Sequence, residues 1–418
     1  MVGGPAVADE VGTDEYDFIF SGNVKYQDGP LEDVVIIVEG GGYSAEVETD
    51  ADGRWRVGVP NKDVYEITLV EATLPEGVIV SEEGNDRITI TERGATIETE
   101  FGLTNNKTVN FFLGAGERVV TPFIELFMTS VMSGLNFGLM LALASIGLSL
   151  IFGTTGIAIF SHAESVTLGA VLALAFAVTL SWPIWLTVPV VLVLLAFAGY
   201  AQDWAIWKPL RKRGLSVVQL MVVSIGLSLT LRYVYQFFIG GGTTLLPTDP
   251  ALTAQISILG PIKLSIVDMI SMSISIVVLV GVAYWLVYTR TGKATRAIND
   301  NASLSAASGI DVDRVVRLVW ILGTTLAGLS GILWAYFRPG IKWDMGWQIL
   351  LLIFAAVVLG GLGTAFGALV GSIIVGLLVE LTPLWLSSDI KYVGPLLILI
   401  IVLLVRPQGL LGQKERVG

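Results

Sequence analysis

Residues 288–333 read YTRTGKATRAINDNASLSAASGIDVDRVVRLVWILGTTLAGLSGIL, and this stretch decides the class of the fold. A polar segment with helical spacing separates two apolar ones, 266–288 and 315–337, each as long as the roughly 20 residues that a bilayer crossing takes. The polar segment carries Arg290, Lys293 and Arg296, then small residues over 302–309, then a second cationic pair, Arg314 and Arg317. Spans that only had to be joined would need a short turn. A linker this long, basic and rich in small side chains implies a surface on which another protein docks.

Composition agrees with a membrane chain. Hydrophobic residues make up 53% and charged residues 15% of the 418, against roughly 25% charged in soluble globular domains. Residues through Arg118 carry 24 acidic and 8 basic side chains, net −16, whereas the remaining 300 carry 12 and 17, net +5. The chain is therefore an acidic head joined to a basic membrane body. It contains no cysteine, which excludes disulfides, thiol nucleophiles and cysteine-based metal sites.

The head, 17–114 after a disordered tail at 1–16, reads as β. Segments rich in Val, Ile and aromatics fall at 18–25, 34–39, 43–49, 55–59, 64–70, 88–91, 95–101 and 108–113. The breaks between them are turn formers such as Asp28-Gly29, Gly40-Gly41-Gly42 and Asp52-Gly53. Short strands at this spacing predict a small all-β sandwich. The run from Ser21 to Pro60 resembles the carboxypeptidase regulatory-like (transthyretin-like) sandwich. That family's hairpin pattern is matched by Thr49, Asp50, Gly53 and Trp55. Asp50 and Asp52 are read as an Asp-Gly turn rather than a cation loop, and the head as an accessory module, not an enzyme.

After a linker at 115–130, hydropathy places spans at 131–152, 166–182, 185–207, 217–239, 266–288, 315–337, 349–362, 366–381 and 395–405, within a membrane domain of 131–412 that ends in a short tail at 413–418. The last three are short, as tilted or re-entrant segments are. The expected fold is thus a multi-pass α-helical bundle of eight or nine transmembrane helices behind a β-sandwich. Glycines within the spans let helix backbones approach closely. Trp182, Trp185, Trp334, Tyr336, Trp343, Trp347 and Trp385 read as an outer interfacial belt. Lys208 and Arg211–Arg213, the 290–317 loop, and Arg406, Lys414 and Arg416 all fall on one side, which the positive-inside rule makes cytoplasmic. The C-terminus is then cytoplasmic and the head extracytoplasmic. Residues 1–16 contain no apolar core of a signal peptide, so an upstream signal segment is expected.

Three motifs carry a family resemblance: GTTGIAIFSHAESVTLG at 153–169, the loop 289–317, and VVLGGLGTAFGALVGSIIVG at 357–376. In this order and spacing they resemble the integral membrane permeases of branched-chain amino acid ABC importers, with the related urea permeases. Where that family shows Asn-Phe-Ala-His-Gly-Glu, this chain has Ile159-Phe160-Ser161-His162-Ala163-Glu164. It keeps the aromatic, the His and the Glu and lacks the Asn and the Gly. The resemblance implies a plasma-membrane permease subunit that forms the path for branched-chain or other hydrophobic amino acids, with urea or short amides as the alternative. It implies as partners two ATP-binding cassette subunits, a second homologous permease and an extracytoplasmic substrate-binding protein, besides membrane lipid. No nucleic acid, metal or cofactor of its own is implied. The chain lacks a G-x-x-x-x-G-K-[ST] loop, so ATP is bound by the partner subunits.

The candidate site residues follow. In the linker, 294–304 is the expected coupling helix, ended by Gly309. Arg290, Gly292, Lys293, Arg296, Ala297 and Ala306 belong to its docking surface, the competing role for the cations being anchorage to anionic lipid. His162 and Glu164 read as a hydrogen-bond clasp near the inner end of the second span, or else as a proton or substrate site. Arg232, inside the fourth span, either faces the path or pairs with Asp268 or Glu380. Gly360, Gly361, Gly363 and Gly367 form either a hinge or a close helix crossing. Two other function classes fit less well. A channel or ion-coupled carrier would not need the coupling loop, and a β-headed sensor or adhesion protein would not need nine spans.

Overall fold

A computed structural model of the chain describes residues 10–13, 15–26, 29–75, 77–81, 88–90, 94–101, 104–115, 123–247, 253, 255–259, 262–386, 391–406 and 408–412. The chain divides into two compact units, 1–121 and 122–418. Asp28, Lys414 and Arg416, and much of the 115–130 linker, lie outside the described residues.

The first unit is built of two sheets. One runs β1 (Glu10–Val11), β6 (Arg54–Val59), β2 (Phe18–Tyr26), β12 (Phe111–Ala115), β8 (Val78–Val80), with β3 (Gly29–Pro30) and β11 (Asn106–Thr108) also on β2. The other runs β5 (Tyr43–Glu48), β4 (Val35–Gly40), β7 (Val64–Leu69), β10 (Ala95–Glu100), β9 (Ile88–Ile90). Alternating residues point inward from both: Phe20 and Val24, Trp55 and Val57, Ile36 and Val38, Tyr65, Ile67 and Leu69 are fully buried or nearly so. Phe20 meets Tyr65 across the sandwich at 5.5 Å between ring centres. The 49–55 turn closes as its residues require. Asp50 Oδ1 accepts from the amides of Asp52 and Arg54 at 2.9 and 2.7 Å, and Gly53 takes φ +73°. Buried Thr49 Oγ1 accepts from Val34 N at 3.0 Å and donates to the Leu31 carbonyl at 2.7 Å. The Asp50 carboxylate is thus occupied by its own turn. Glu10 and Val11, upstream of the expected domain start, add a strand beside β6.

The second unit is helical: α1 (Phe123–Thr155), α2 (His162–Leu174), α3 (Ile184–Gln202), α4 (Val217–Ile239), α5 (Ile266–Tyr288), α6 (Arg290–Asp300), α7 (Ala302–Ala307), α8 (Val312–Phe337), α9 (Met345–Gly360), α10 (Ala365–Leu381) and α11 (Val393–Val405). Among the described residues, seven apolar helical stretches are long enough to cross a bilayer, and α9 and α11 are shorter apolar helices. A π-helical turn prolongs α2 to Thr179, and α3 continues through another as far as Lys212. The hairpin Gln255–Leu259 with Ile262–Ser265 precedes α5 and was not expected from the sequence.

The bundle is centred on α1 and α8. At several of its crossings glycines bring the helix backbones together. A Cβ on Gly169 would collide with the Gly328 carbonyl, and one on Gly331 with the Val166 carbonyl, so α2 and α8 touch backbone to backbone. Gly134, Gly138 and Gly376 make the same kind of contact between α1 and α10. In lipid there is no hydrophobic gain from bringing two apolar helices together, so close van der Waals contact has to supply the attraction. By contrast, α4 and α5 each bury one narrow stripe and turn Val222, Leu229, Phe237, Val277 and Val280 outward.

These contacts set a prediction. Gly169→Val overfills a sealed crossing and is expected to cost at least the ~1–3 kcal/mol of an overpacked core. Gly226→Ala and Gly281→Ala, where an added Cβ meets nothing within 4 Å, leave stability unchanged. Thermal unfolding of the three variants in detergent, followed by size-exclusion retention, checks the contrast.

Candidate functional site

The linker that opened the sequence reading folds as two helices rather than one. Thr289 caps α6, its Oγ1 accepting from Gly292 N at 3.0 Å while donating to the Trp285 carbonyl at 2.6 Å. Asn301, at φ −160°, ends α6 and caps α7 by accepting from Leu304 N at 2.9 Å. The expected helix over 294–304 is therefore broken at Asn301, because an Asn side chain competes with the helix for backbone donors. Gly309 follows at φ +90° with open space around it. Arg290, Lys293 and Arg296 are exposed, as are Ala302, Ala306 and Ala307; Leu304, an apolar side chain among these small residues, is 68% exposed. Gly292 serves packing: a Cβ there would strike the Trp285 carbonyl of α5.

Asn299 fastens this element to the bundle. Its Nδ2 donates to the Gly363 carbonyl at 3.0 Å, in the loop between α9 and α10. Its Oδ1 lies where a Cβ on Gly153, near the end of α1, would sit 2.6 Å away. All three sequence motifs thus meet at one side chain. Around it opens a groove of about 550 Å³ lined by Gly153, Lys293, Arg296, Asn299, Gly363 and Gly367, among others. On the same end of the bundle, Lys208 after α3 pairs with Asp313 at the start of α8, 2.9 Å apart. The amides of Leu410 and Leu411 satisfy the carbonyls of Leu359 and Gly360 at the end of α9. Gly360 and Gly367 are in backbone contact, and Gly361 and Gly363 take φ +114° and +78°, so this glycine run is a close crossing followed by a tight turn.

A second constellation lies deeper. His162 opens α2, and its Nε2 is 2.9 Å from the Ala144 carbonyl. At 1.5 Å per residue, Ala144 is about 16 Å along α1 from its end at Thr155. The chain therefore turns back after α1 and starts α2 well inside the bundle, not at its inner edge. Glu164, two residues on and fully buried, points to α4: Ser228 Oγ donates to its Oε1 at 2.8 Å, and Arg232 Nη2 does so at 3.3 Å. Tyr235 donates to the Glu164 carbonyl at 3.1 Å. The Arg232 guanidinium stacks 4.1 Å from the ring centre of Trp347. Arg232 is thus paired with Glu164, not with Asp268 or Glu380. Asp268 is taken by Asn136 at 2.9 Å and by Ser265, whose helix it caps, and Glu380 by Arg338 at 2.6 Å. His162 and Glu164 do not form one site, since their side chains go to α1 and α4 respectively.

Set beside known proteins, residues 130–404 match the family model described as "Branched-chain amino acid transport system / permease component". The chain belongs to this permease family. The high-affinity branched-chain amino acid transport system permease protein LivH of Escherichia coli is 26% identical over 299 residues, 69% of this chain and 96% of LivH. BraD of Pseudomonas aeruginosa, named likewise, is 26% identical over 309 residues, covering 70% and 98%. A probable LivH of Methanocaldococcus jannaschii is 31% identical over 285 residues, covering 65% and 89%. No solved structure matches. LivH and BraD are matched nearly end to end, which leaves no room in them for a unit the size of the head.

The permease body brings Lys293, Arg296, Ala297, Gly363 and Gly367 to one groove and joins Glu164 to Arg232. His162 stands apart from that pair, and Arg290, Ala306 and Gly309 lie outside the groove's lining. Sequence reading missed Asn299, Ser228, Tyr235, Trp347 as a partner of Arg232, and Leu304. A trace of them was present in the spacing Ser224, Ser228, Arg232, Tyr235, which puts polar groups on one stripe of an otherwise apolar helix. Asn299→Ala removes the clasp, and loss of one such hydrogen bond is worth about 0.5–1.5 kcal/mol. Limited trypsin digestion of the intact protein is expected to cut faster after Arg290, Lys293 and Arg296 in that variant, with the spans spared.

Proposed function

We propose that the chain is the translocation subunit of an ABC importer for branched-chain or similar hydrophobic amino acids, and that separate ATPase subunits drive it by gripping α6 and α7. The family match across the whole membrane body, from 130 to 404, carries this reading. The LivH and BraD names supply the substrate class. The exposed face of α7, with Leu304 among alanines and flanked by Arg290, Lys293 and Arg296, suits burial in a partner. Asn299 ties that face by one hydrogen bond to the Gly363 loop that leads into α10 and packs beside Gly153 of α1, a route by which a push on α6 would reach both helices. By the positive-inside rule this basic end is cytoplasmic, which puts the C-terminus inside and the head outside. A second permease subunit and a soluble binding protein complete the assembly, and substrate choice rests largely with the latter.

Uptake of labelled leucine, isoleucine, valine and urea in cells with and without the gene, repeated after ATP depletion, tests the reading. ATP-dependent loss of branched-chain amino acid uptake on deletion is the expected result. Lost urea uptake with intact amino acid uptake would move the substrate, and no loss of any would overturn the proposal. The double change Arg296→Glu with Gly309→Pro reverses a docking charge and forbids the φ +90° turn. It is expected to abolish transport-coupled ATPase activity while leaving the assembled spans intact.

A further inference from the structure

Three helices of the body begin with a Ser followed three residues later by an acid or amide. Two of them complete the reciprocal capping box. Ser216 with Gln219 does so at α4, and Ser265 with Asp268 at α5, each serine oxygen accepting from the third residue's amide and each third side chain accepting from the serine's amide. The remaining one, Ser161-His162-Ala163-Glu164 at α2, has the strongest form of the motif, S-x-x-E, and completes neither half. The Ser161 side chain makes no capping bond, and its buried Oγ has no partner among the described residues. Glu164 instead reaches across to Ser228 and Arg232. One oxygen, Oε2, and the Arg232 Nε are left buried with no partner among the described residues, although Glu164 is fully buried and Arg232 only 8% exposed.

A pair held this way is poorly explained as a stabilising contact. Buried ion pairs with unfilled hydrogen-bonding capacity are commonly neutral or worse than apolar packing, and a charge at membrane depth points to function. The glutamate also has somewhere else to go. Swung back toward the start of its own helix, it would lie against the positive end of the α2 dipole. Ser161 there is helical, at φ −68° and ψ −4°, and its carbonyl already takes the Glu164 amide at 3.2 Å, so the gain is the dipole rather than a capping box. That movement would release the guanidinium, which stays over the Trp347 ring, 4.1 Å from its centre.

We propose that Arg232 is the carboxylate-binding residue of the translocation path, with Glu164 its resting counter-ion. The transported amino acid's carboxylate displaces Glu164 from Arg232, and Glu164 turns toward the N-terminal end of α2. This deepens the importer reading above and rests on it for the substrate class. The chain has no native cysteine, so a single thiol can report on the site. Ser228→Cys, in the assembled transporter reconstituted in proteoliposomes, is labelled with a membrane-permeant thiol reagent in the presence of leucine, 4-methylpentanoate (leucine without its amine) or isoamylamine (leucine without its carboxylate). The two carboxylates are expected to change the labelling rate at least fivefold and isoamylamine to leave it unchanged. Adding Arg232→Gln, or Glu164→Gln with Arg232→Gln where the single change fails to fold, is expected to remove the response. An equal response to isoamylamine, a response that survives the loss of Arg232, or no response to any carboxylate would overturn the proposal. If the cells carry leucine in an ATP-dependent way yet the thiol ignores carboxylates, the importer reading stands and the site falls. If leucine is not carried but 4-methylpentanoate still alters labelling, the site stands and the substrate falls.

Discussion

Backbone contact between helices is the constraint on which the membrane body depends. In water, α1 and α8 would be driven together by their apolar surfaces. In lipid that drive is absent, and what remains is dispersion between closely fitted atoms. Glycine pairs supply the fit. Gly147 meets Gly323 between α1 and α8, Gly169 meets Gly328 between α2 and α8, and Gly360 meets Gly367 where α9 turns into α10. These crossings set how closely the helices approach, and so also where the few polar side chains of the interior stand.

The polar groups fall into two layers with different physics. At the basic end, exposed cations and small side chains surround a single uncharged clasp, Asn299, whose value is geometric: it ties α6 to the Gly363 loop and fits against Gly153. Deeper in the bundle, a buried acid and a buried cation are held between α2 and α4, where isolated charges would each cost at least about 2.5–3.5 kcal/mol. Their pairing offsets part of that cost, and the remainder is consistent with a site poised to exchange partners. Both layers touch α1: Asn299 fits against Gly153 near its end, and His162 at the start of α2 bonds to the Ala144 carbonyl.

Much of this was legible in the sequence, because the strongest signals are those with a long period or a large energy behind them. Apolar runs of span length and the turn formers Gly40-Gly41-Gly42 and Asp52-Gly53 survive in the structure, with most of the strand limits read in the head moved by a residue or two and the strand Val78–Val80 unread. The single strand read at 108–113 is two, Asn106–Thr108 and Phe111–Ala115, which pair one after the other along β2. What could not be read were contacts between residues far apart in the chain. Arg232 has three carboxylates within plausible reach by helix depth, and only the early start of α2 selects Glu164. That start is itself hidden, because residues 156–161 look like an ordinary connection and nothing local says that they climb back into the bundle. Asn299 was passed over for the same reason: its role lies in Gly153 and Gly363, far from it in sequence.

An importer driven as proposed takes force from its ATPase subunits at α7. Because the chain has no cysteine, one thiol placed at exposed Ala306 and another, in a separate variant, at exposed Lys342 beyond the opposite end of α8 can be compared by cross-linking in membranes that contain the whole transporter. A covalent adduct with an ATPase subunit is expected from Ala306→Cys and none from Lys342→Cys. An adduct from Lys342→Cys, or none from Ala306→Cys in membranes that transport, would contradict entry of force at α7.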